Sequence, residues 1–248
     1  MHAIAVIPAR FGSTRFPGKM LAAETGRPLI LHVLDQVRRA RRVTRVIVAT
    51  DDQRIAAVVR GAGGEALLTR ADHPNGTSRI AEVAATIEDS PHDSLIINVQ
   101  GDEPEIDPAL IDRLVELLHA RPDCPMATLA SPITDEDDAA NPHIVKVVCR
   151  HDGTALYFSR SRIPFDRDGA GTPDSKALRH IGLYGYRREF LARYVTLSET
   201  PLERSEKLEQ LRALEHGHAI AVGLVDATVH GIDTPEQYAA FVARFRAR

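Results

Sequence analysis

The chain has 248 residues, 44% hydrophobic and 26% charged, with a net charge of −3. That length supports one large α/β domain with a sizeable buried core, and the composition excludes a disordered chain. The small negative charge excludes a surface built throughout to coat nucleic acid or acidic lipid, so any anion site must be local.

Strand-like and helix-like segments alternate through the first half. AIAVI (Ala3–Ile7) is a short apolar run ended by Pro8 and reads as a buried strand. Pro28–Ala40 reads as a helix, with Leu31, Leu34 and Val37 near helical spacing and a proline suited to its first turn. RVIVAT (Arg45–Thr50) is β-branched and reads as a second strand. A helix follows from Asp52 and stops at the glycines 61, 63 and 64; ALLTR is a short third strand. Ile80, Val83, Ala84 and Ile87 mark one face of the next helix. Ser94–Gln100 is another buried strand, and DPALIDRLVELLHA an amphipathic helix. This alternation predicts right-handed crossovers and a mainly parallel sheet, with ligands held beyond the carboxyl ends of the strands.

The second half changes character. MATLASPI and Ile144–Arg160 read as strands, the latter a hairpin turning at Asp152-Gly153. Asp166–Lys176 is polar, rich in glycine and proline, and reads as a mobile loop. ERSEKLEQLRALEHG reads as one helix closed near Gly217, and AIAVGLV as a late strand. The last helix opens on Thr234, Pro235 and Gln237, a capping-box pattern, and carries Tyr238, Phe241, Val242 and Phe245 as its apolar stripe. No internal repeat, linker or low-complexity segment interrupts the chain.

Two cysteines, Cys124 and Cys149, show no metal-ligand spacing, and a reducing compartment fits them better than a disulfide framework. No apolar run approaches the roughly 18 residues that span a bilayer. The N-terminus lacks the pattern of a secretory signal. The expected location is the cytoplasm, with no membrane partner.

The chemistry concentrates in PARFGSTRFPGK, Pro8–Lys19, after the first strand. Arg10, Arg15 and Lys19 lie there with Gly12 and Gly18, and the first acid of the chain is Glu24. Such a loop offers backbone N–H groups and cations to phosphate oxygens, and a polyphosphate fits it. It is not a Walker A loop, since five residues separate Gly12 from Gly18 and Met20 follows Lys19. The plain alternative is a connecting loop that is basic by chance. A polyphosphate site usually needs magnesium, which takes one or two protein carboxylates. The candidates are Asp102, Glu103 and Glu105 in QGDEPE and Asp233 in GIDTPE, although aspartate is also a common turn residue. RRARRVTR (Arg38–Arg45) reads as a solvated helix end rather than a nucleic-acid patch. RADHPNGTSR (Arg70–Arg79) suits a helix cap, a base edge or a sugar; the arginines and tyrosines of FSRSR and LRHIGLYGY suit an acidic, hydroxylated substrate or ordinary strand edges.

Together, IPARFGSTRFPGK, VATDD, TRADHPNGTSRIAE, INVQGDEP, NPHIVKVV, ALYFSRSRIPFDRD, LRHIGLYGYR, PLERSEKLEQLR and HGIDTPE resemble the 3-deoxy-manno-octulosonate (Kdo) cytidylyltransferase family, in family order from residue 4 to residue 236. The resemblance implies the reaction CTP + Kdo → CMP-Kdo + pyrophosphate in lipopolysaccharide synthesis. It implies a nucleotide-diphospho-sugar transferase fold, a Rossmann-like three-layer α/β/α sandwich. The chain would be a single domain, 1–248, with a β-rich lobe at roughly 125–195 for sugar binding and dimerisation, working as a magnesium-dependent homodimer.

The family's roles would fall on Arg10, Ser13, Arg15 and Lys19 for the triphosphate, Arg10 and Lys19 contributing most to rate. Arg70, Asp72, His73, Gly76, Thr77 and Arg79 would line the cytidine, and Asp102 and Asp233 would bind magnesium. Gln100, Arg160, His180, Tyr184, Glu209 and Gln210 would face the sugar acid, with Arg160 on its carboxylate. The family pattern QSGTER reads PNGTSR here, and IPW ends in Phe165. The competing readings are a cytidylyltransferase for 8-amino-Kdo or an N-acylneuraminate, and a non-catalytic nucleotide-binding module.

Overall fold

The structure, a computed structural model, describes residues 2–88, 93–167 and 177–247. Most of the polar loop read at 166–176 lies outside the described residues. The chain divides into two compact units, Met1–Asp112 with Val229–Arg248, and Arg113–Thr228.

In the first unit Ala3–Ala9 (β1), Arg45–Thr50 (β2), Glu65–Leu68 (β3) and Leu95–Asn98 (β4) form a wholly parallel array in the order β3–β2–β1–β4. Every residue of β4 is buried, and β1 is buried except at Pro8, as continuous apolar runs between helical layers require. The crossovers are α1 (Leu29–Val37), α2 (Gln53–Gly61) and α3 (Gly76–Thr86). Asp52 caps α2 by accepting from the Arg54 N–H at 2.8 Å, and Asn75 caps α3 by accepting from the Ser78 N–H at 2.8 Å. Helix α1 stops at Val37, three residues before the expected Ala40. The arginines beyond it serve the framework: Arg38 donates to the Gly63 carbonyl, and the Arg41 and Arg42 N–H groups donate to the Asp112 carboxylate.

One glycine sets how closely two strand ends approach. A Cβ on Gly101 would stand 2.6 Å from the Pro8 carbonyl oxygen, a separation no side chain permits. Its absence lets the turn after β4 lie against the end of β1.

Helix α4 (Pro108–Ala120) carries the chain into the second unit. There β5 (Met126–Pro132) is followed by α5 (Glu136–Ala140), and Lys146–Cys149 (β6) and Ala155–Ser159 (β7) form the expected hairpin. Gly153 turns it with φ +80°. Leu178–Arg187 (β8) pairs antiparallel with β5 and β6. Helices α6 (Arg188–Tyr194), α7 (Pro201–Glu206) and α8 (Gln210–Glu215) precede β9 (Ile220–Leu224), which pairs parallel with β5. Phe158, Tyr186 and Tyr194 fill the core.

The single helix read across 203–217 is two. Lys207 adopts the left-handed conformation, φ 54°, and breaks it. The carbonyls of Glu206 and Lys207 accept from the Arg160 guanidinium at 2.8 and 3.4 Å, so tertiary hydrogen bonds replace those a continuous helix would make.

The last helix, α9 (Pro235–Arg246), belongs to the first unit. Its capping box forms as expected between Thr234 and Gln237. Tyr238, Phe241 and Val242 pack with Leu29 and Ile232, and Phe16 lies against them.

Candidate active site

The loop after β1 folds around Phe11. Its carbonyl accepts from the N–H groups of Ser13 at 3.0 Å and Gly18 at 3.2 Å, and the Ser13 hydroxyl accepts from the Phe16 N–H at 3.3 Å. Gly18 is left-handed, φ +71°, and a Cβ there would press on the Phe11 ring at 3.3 Å. The loop delivers Lys19 into a single 3-10 turn, Lys19–Leu21.

Lys19 is the centre of the arrangement. Its side chain is 7% exposed, and its ammonium donates to Asp102 Oδ2 at 2.7 Å, the Ile232 carbonyl at 2.7 Å and Asp233 Oδ1 at 3.3 Å. Asp102 follows β4, Asp233 precedes α9, and the Ile232 N–H donates to the Asp102 carbonyl at 2.8 Å. The Asp233 N–H donates to Gln237 Oε1 at 2.7 Å, so the capping box of α9 also holds the acid. Arg15 reaches Asp233 Oδ1 at 3.0 Å from the solvent side. Arg10 is exposed and its guanidinium has no polar partner among the described residues.

The charges leave a local excess of positive sign. Arg10, Arg15 and Lys19 stand against Asp102 and Asp233. Glu103 does not join the acids: burial, with the Asp102 charge beside it, raises its carboxyl to about 8, and it stays protonated at neutral pH. Two carboxylates and a carbonyl already converge on one cation, which is the hard-oxygen donor set that magnesium takes beside phosphates. Among the described residues no three His, Cys, Asp or Glu side chains gather as a self-sufficient metal cage.

The expected cytidine residues are less uniform. Arg70 and Asp72 are exposed and 3.6 Å apart. The His73 side chain is 3% exposed, between Ser78 Oγ and the Glu82 carboxylate. Thr77 is buried, and Gly76 opens α3 beside Pro8. Arg79 is a strut: at 3% exposure it donates to Asp51, Thr69 and the Arg70 carbonyl.

Of the residues expected to face the sugar acid, Gln100 lies in the first unit and the others in the second. Arg160 donates through three N–H groups to the carbonyls of Glu206, Pro142 and Lys207. A guanidinium has five, so two remain for a carboxylate. His180 accepts or donates at Thr128 Oγ1, 3.0 Å away, and burial lowers its pKa to about 3, so the ring is neutral. Its neighbour Tyr184, ring centroids 5.2 Å apart, is raised well above the ordinary phenol value by burial. Gln210 is buried with Nε2 unpartnered among the described residues, and the Glu209 carbonyl accepts from the Tyr194 hydroxyl at 2.6 Å.

Three participants escaped the sequence reading: the Ile232 carbonyl, Gln237 as the holder of Asp233, and Asp51, whose carboxylate accepts from the Phe11 N–H at 3.3 Å. Gln237 was marked only as a cap, and Asp51 carried a signal as an acid at the end of a buried strand, like Asp102.

The profile of the cytidylyltransferase family matches residues 4–220. The chain is 51% identical over 98% of its length to a 3-deoxy-manno-octulosonate cytidylyltransferase of Syntrophobacter fumaroxidans, covering 96% of that protein. It is 50% identical over 99% of its length to the protein of the same name from Syntrophotalea carbinolica, covering 99% of it. Among solved structures it resembles CMP:2-keto-3-deoxy-manno-octonic acid synthetase complexed with CTP, with 41% identity and a TM-score of 0.93 over 100% of this chain and 99% of that one. The α/β nucleotidyltransferase fold expected from the sequence is the fold observed.

Proposed function

Because the chain belongs to the cytidylyltransferase family, and within it to the 3-deoxy-manno-octulosonate cytidylyltransferases, we propose that it is the enzyme that activates Kdo with CTP for lipopolysaccharide synthesis. The anomeric hydroxyl of Kdo attacks the α-phosphorus of CTP. The new P–O bond forms, the bond to the bridging oxygen of pyrophosphate breaks, and the hydroxyl proton is released. No protein nucleophile is required.

The observation that carries this reading is the Lys19 ammonium held between Asp102 and Asp233 at the foot of a basic loop. Arg10, Ser13 and Arg15 bind the phosphates, and Lys19 offsets charge gathering on the departing pyrophosphate. Positioning and electrostatic stabilisation of this kind dominate such transfers. Asp102 and Asp233 would hold magnesium, which supplies further positive charge to the phosphate oxygens. Arg70, Asp72, His73, Gly76 and Thr77 face the cytidine. Arg160 takes the sugar carboxylate with its two remaining N–H groups, while Gln100, His180, Tyr184, Glu209 and Gln210 hold the hydroxyls. A neutral His180 contributes a hydrogen bond and no charge.

A homodimer formed through the lobe at 125–195 accompanies this reading. Leu156 and Phe165, 50% and 83% exposed, support an apolar contact surface there. Sedimentation velocity reporting only a monomer would contradict it. No helix among the described residues is long and apolar enough to cross a membrane. Both cysteines are free, which supports a reducing cytoplasm.

The test is pyrophosphate release from CTP with Kdo, 8-amino-Kdo and N-acetylneuraminate compared side by side, with and without excess chelator. Fastest release with Kdo, abolished by chelator, is expected. Release with none of the three would remove the enzymatic reading, preference for another sugar would replace the substrate, and activity in chelator would remove the metal.

A further inference from the structure

The loop that holds the triphosphate in the proposed reaction is shaped from outside. Asp51, at the end of β2, uses both carboxylate oxygens. Oδ1 accepts from the Phe11 N–H at 3.3 Å, and Oδ2 accepts from Arg79 Nη2 at 3.0 Å. Arg79 rises from α3 and donates through Nη1 to Thr69 Oγ1 at 2.5 Å and to the Arg70 carbonyl at 3.2 Å, both beyond β3. One ion pair, its arginine buried and its aspartate partly so, therefore ties together the segments that leave β1, β2 and β3.

The next residue fixes the ring of the same phenylalanine. Asp52 binds Arg54 in a fork, Oδ1–Nε 3.0 Å and Oδ2–Nη2 2.6 Å. The Arg54 guanidinium then covers the Phe11 ring, 3.8 Å from its centroid. Phe11 is thus held by its amide and capped on its ring, while its carbonyl closes the loop through Ser13 and Gly18.

We propose that Asp51 and Arg79 are positioning residues of the nucleotide site: they set the shape of the phosphate loop through Phe11, and neither touches the nucleotide. The proposal rests on the reading that this loop binds a triphosphate. Arg79 was expected beside the cytidine, but its side chain is 3% exposed and both of its terminal nitrogens are engaged. Its charge has a second consequence. An unpaired carboxylate so near a phosphate loop would repel the ligand, and Arg79 cancels it. The pair supplies a charge-assisted anchor without leaving a net negative charge where anions must enter.

The experiment has two arms. In nucleotide-free protein, NMR hydrogen exchange at the Phe11, Ser13 and Gly18 amides is compared between wild type, Asp51→Ala and Asp51→Asn. Exchange in Asp51→Ala is expected to speed up about tenfold or more at these amides, the loss of one charge-assisted hydrogen bond, with β1 and β2 unchanged. Asp51→Asn, which keeps an acceptor for Phe11, falls between. In the second arm, calorimetric titration of Asp51→Ala is expected to show CTP weakened about tenfold and CMP by no more than about twofold, since CMP lacks the phosphates the loop would hold.

Unchanged exchange at the three amides, or equal weakening of CMP and CTP, overturns the proposal. If Asp51→Ala gives no melting transition, Asp51→Asn decides: it removes the carboxylate charge that Arg79 pairs and weakens the acceptor for the Phe11 N–H, and unaltered exchange at the Phe11, Ser13 and Gly18 amides overturns the proposal. A wild type that binds no CTP refutes the triphosphate reading instead, while the exchange arm still decides the anchor.

Discussion

Lys19 satisfies two acids and a carbonyl at once, and that convergence was partly legible residue by residue. Lys19, Asp102 and Asp233 each sit where a strand ends or a helix begins, which is where a parallel sheet exposes polar side chains. The Arg160 and Arg79 donors were not legible, because a guanidinium in a sequence carries no mark of which carbonyl or carboxylate it will meet. His180 shows the same gap: its identity suggests a titrating group, and burial makes it a neutral one. Held near 3 when folded, against 6.5 as the ordinary value, it leaves the unfolded chain binding the extra proton between those limits. Its contribution to stability therefore rises with pH across that window and levels above it. Melting temperature measured from about pH 4 to 6.5 is expected to climb less steeply in His180→Gln than in wild type. Equal slopes would show that the ring is not held neutral.

At the scale of elements, reading succeeded where local chemistry agreed with the fold. β1 is a uniform apolar run, β2 and β4 are apolar between Arg45 and Thr50 and before Asn98, and the caps of α2, α3 and α9 each use a side chain suited to the position. It failed at 203–217, where a helical pattern is cut by contacts from far along the chain. Glu206 is the hub of that cut. Its carboxylate accepts from Ser159 Oγ at 2.5 Å and from the Arg160 N–H at 2.9 Å, and its carbonyl accepts from the Arg160 side chain. Glu206→Ala keeps the backbone carbonyl but strands the Ser159 hydroxyl and the Arg160 N–H, and denaturant titration is expected to show a loss of about 2–4 kcal/mol. A loss below about 0.5 kcal/mol, the scale of an ordinary surface change, would mean the break at Lys207 has another cause.

For the molecule as a whole, an α/β fold with a mainly parallel sheet followed from strand–helix alternation and the nucleotidyltransferase fold from the family resemblance, whereas the division at Arg113 did not follow from either. Helix α4 carries an uninterrupted amphipathic pattern through that point, and neither glycine, proline nor a polar run marks it. The residues proposed for the nucleotide all fall in the first unit, and those proposed for the sugar, Gln100 apart, in the second. What joins chemistry to fold is the Lys19–Asp102–Asp233 cluster, built from the loop after β1, the turn after β4 and the entry to α9. The most direct test is the rate of pyrophosphate release from CTP and Kdo by folded Lys19→Ala at saturating substrates. A fall of at least about 10²-fold is predicted, the scale of losing one preorganised stabiliser of the transition state; a rate within a few-fold of wild type would contradict the account.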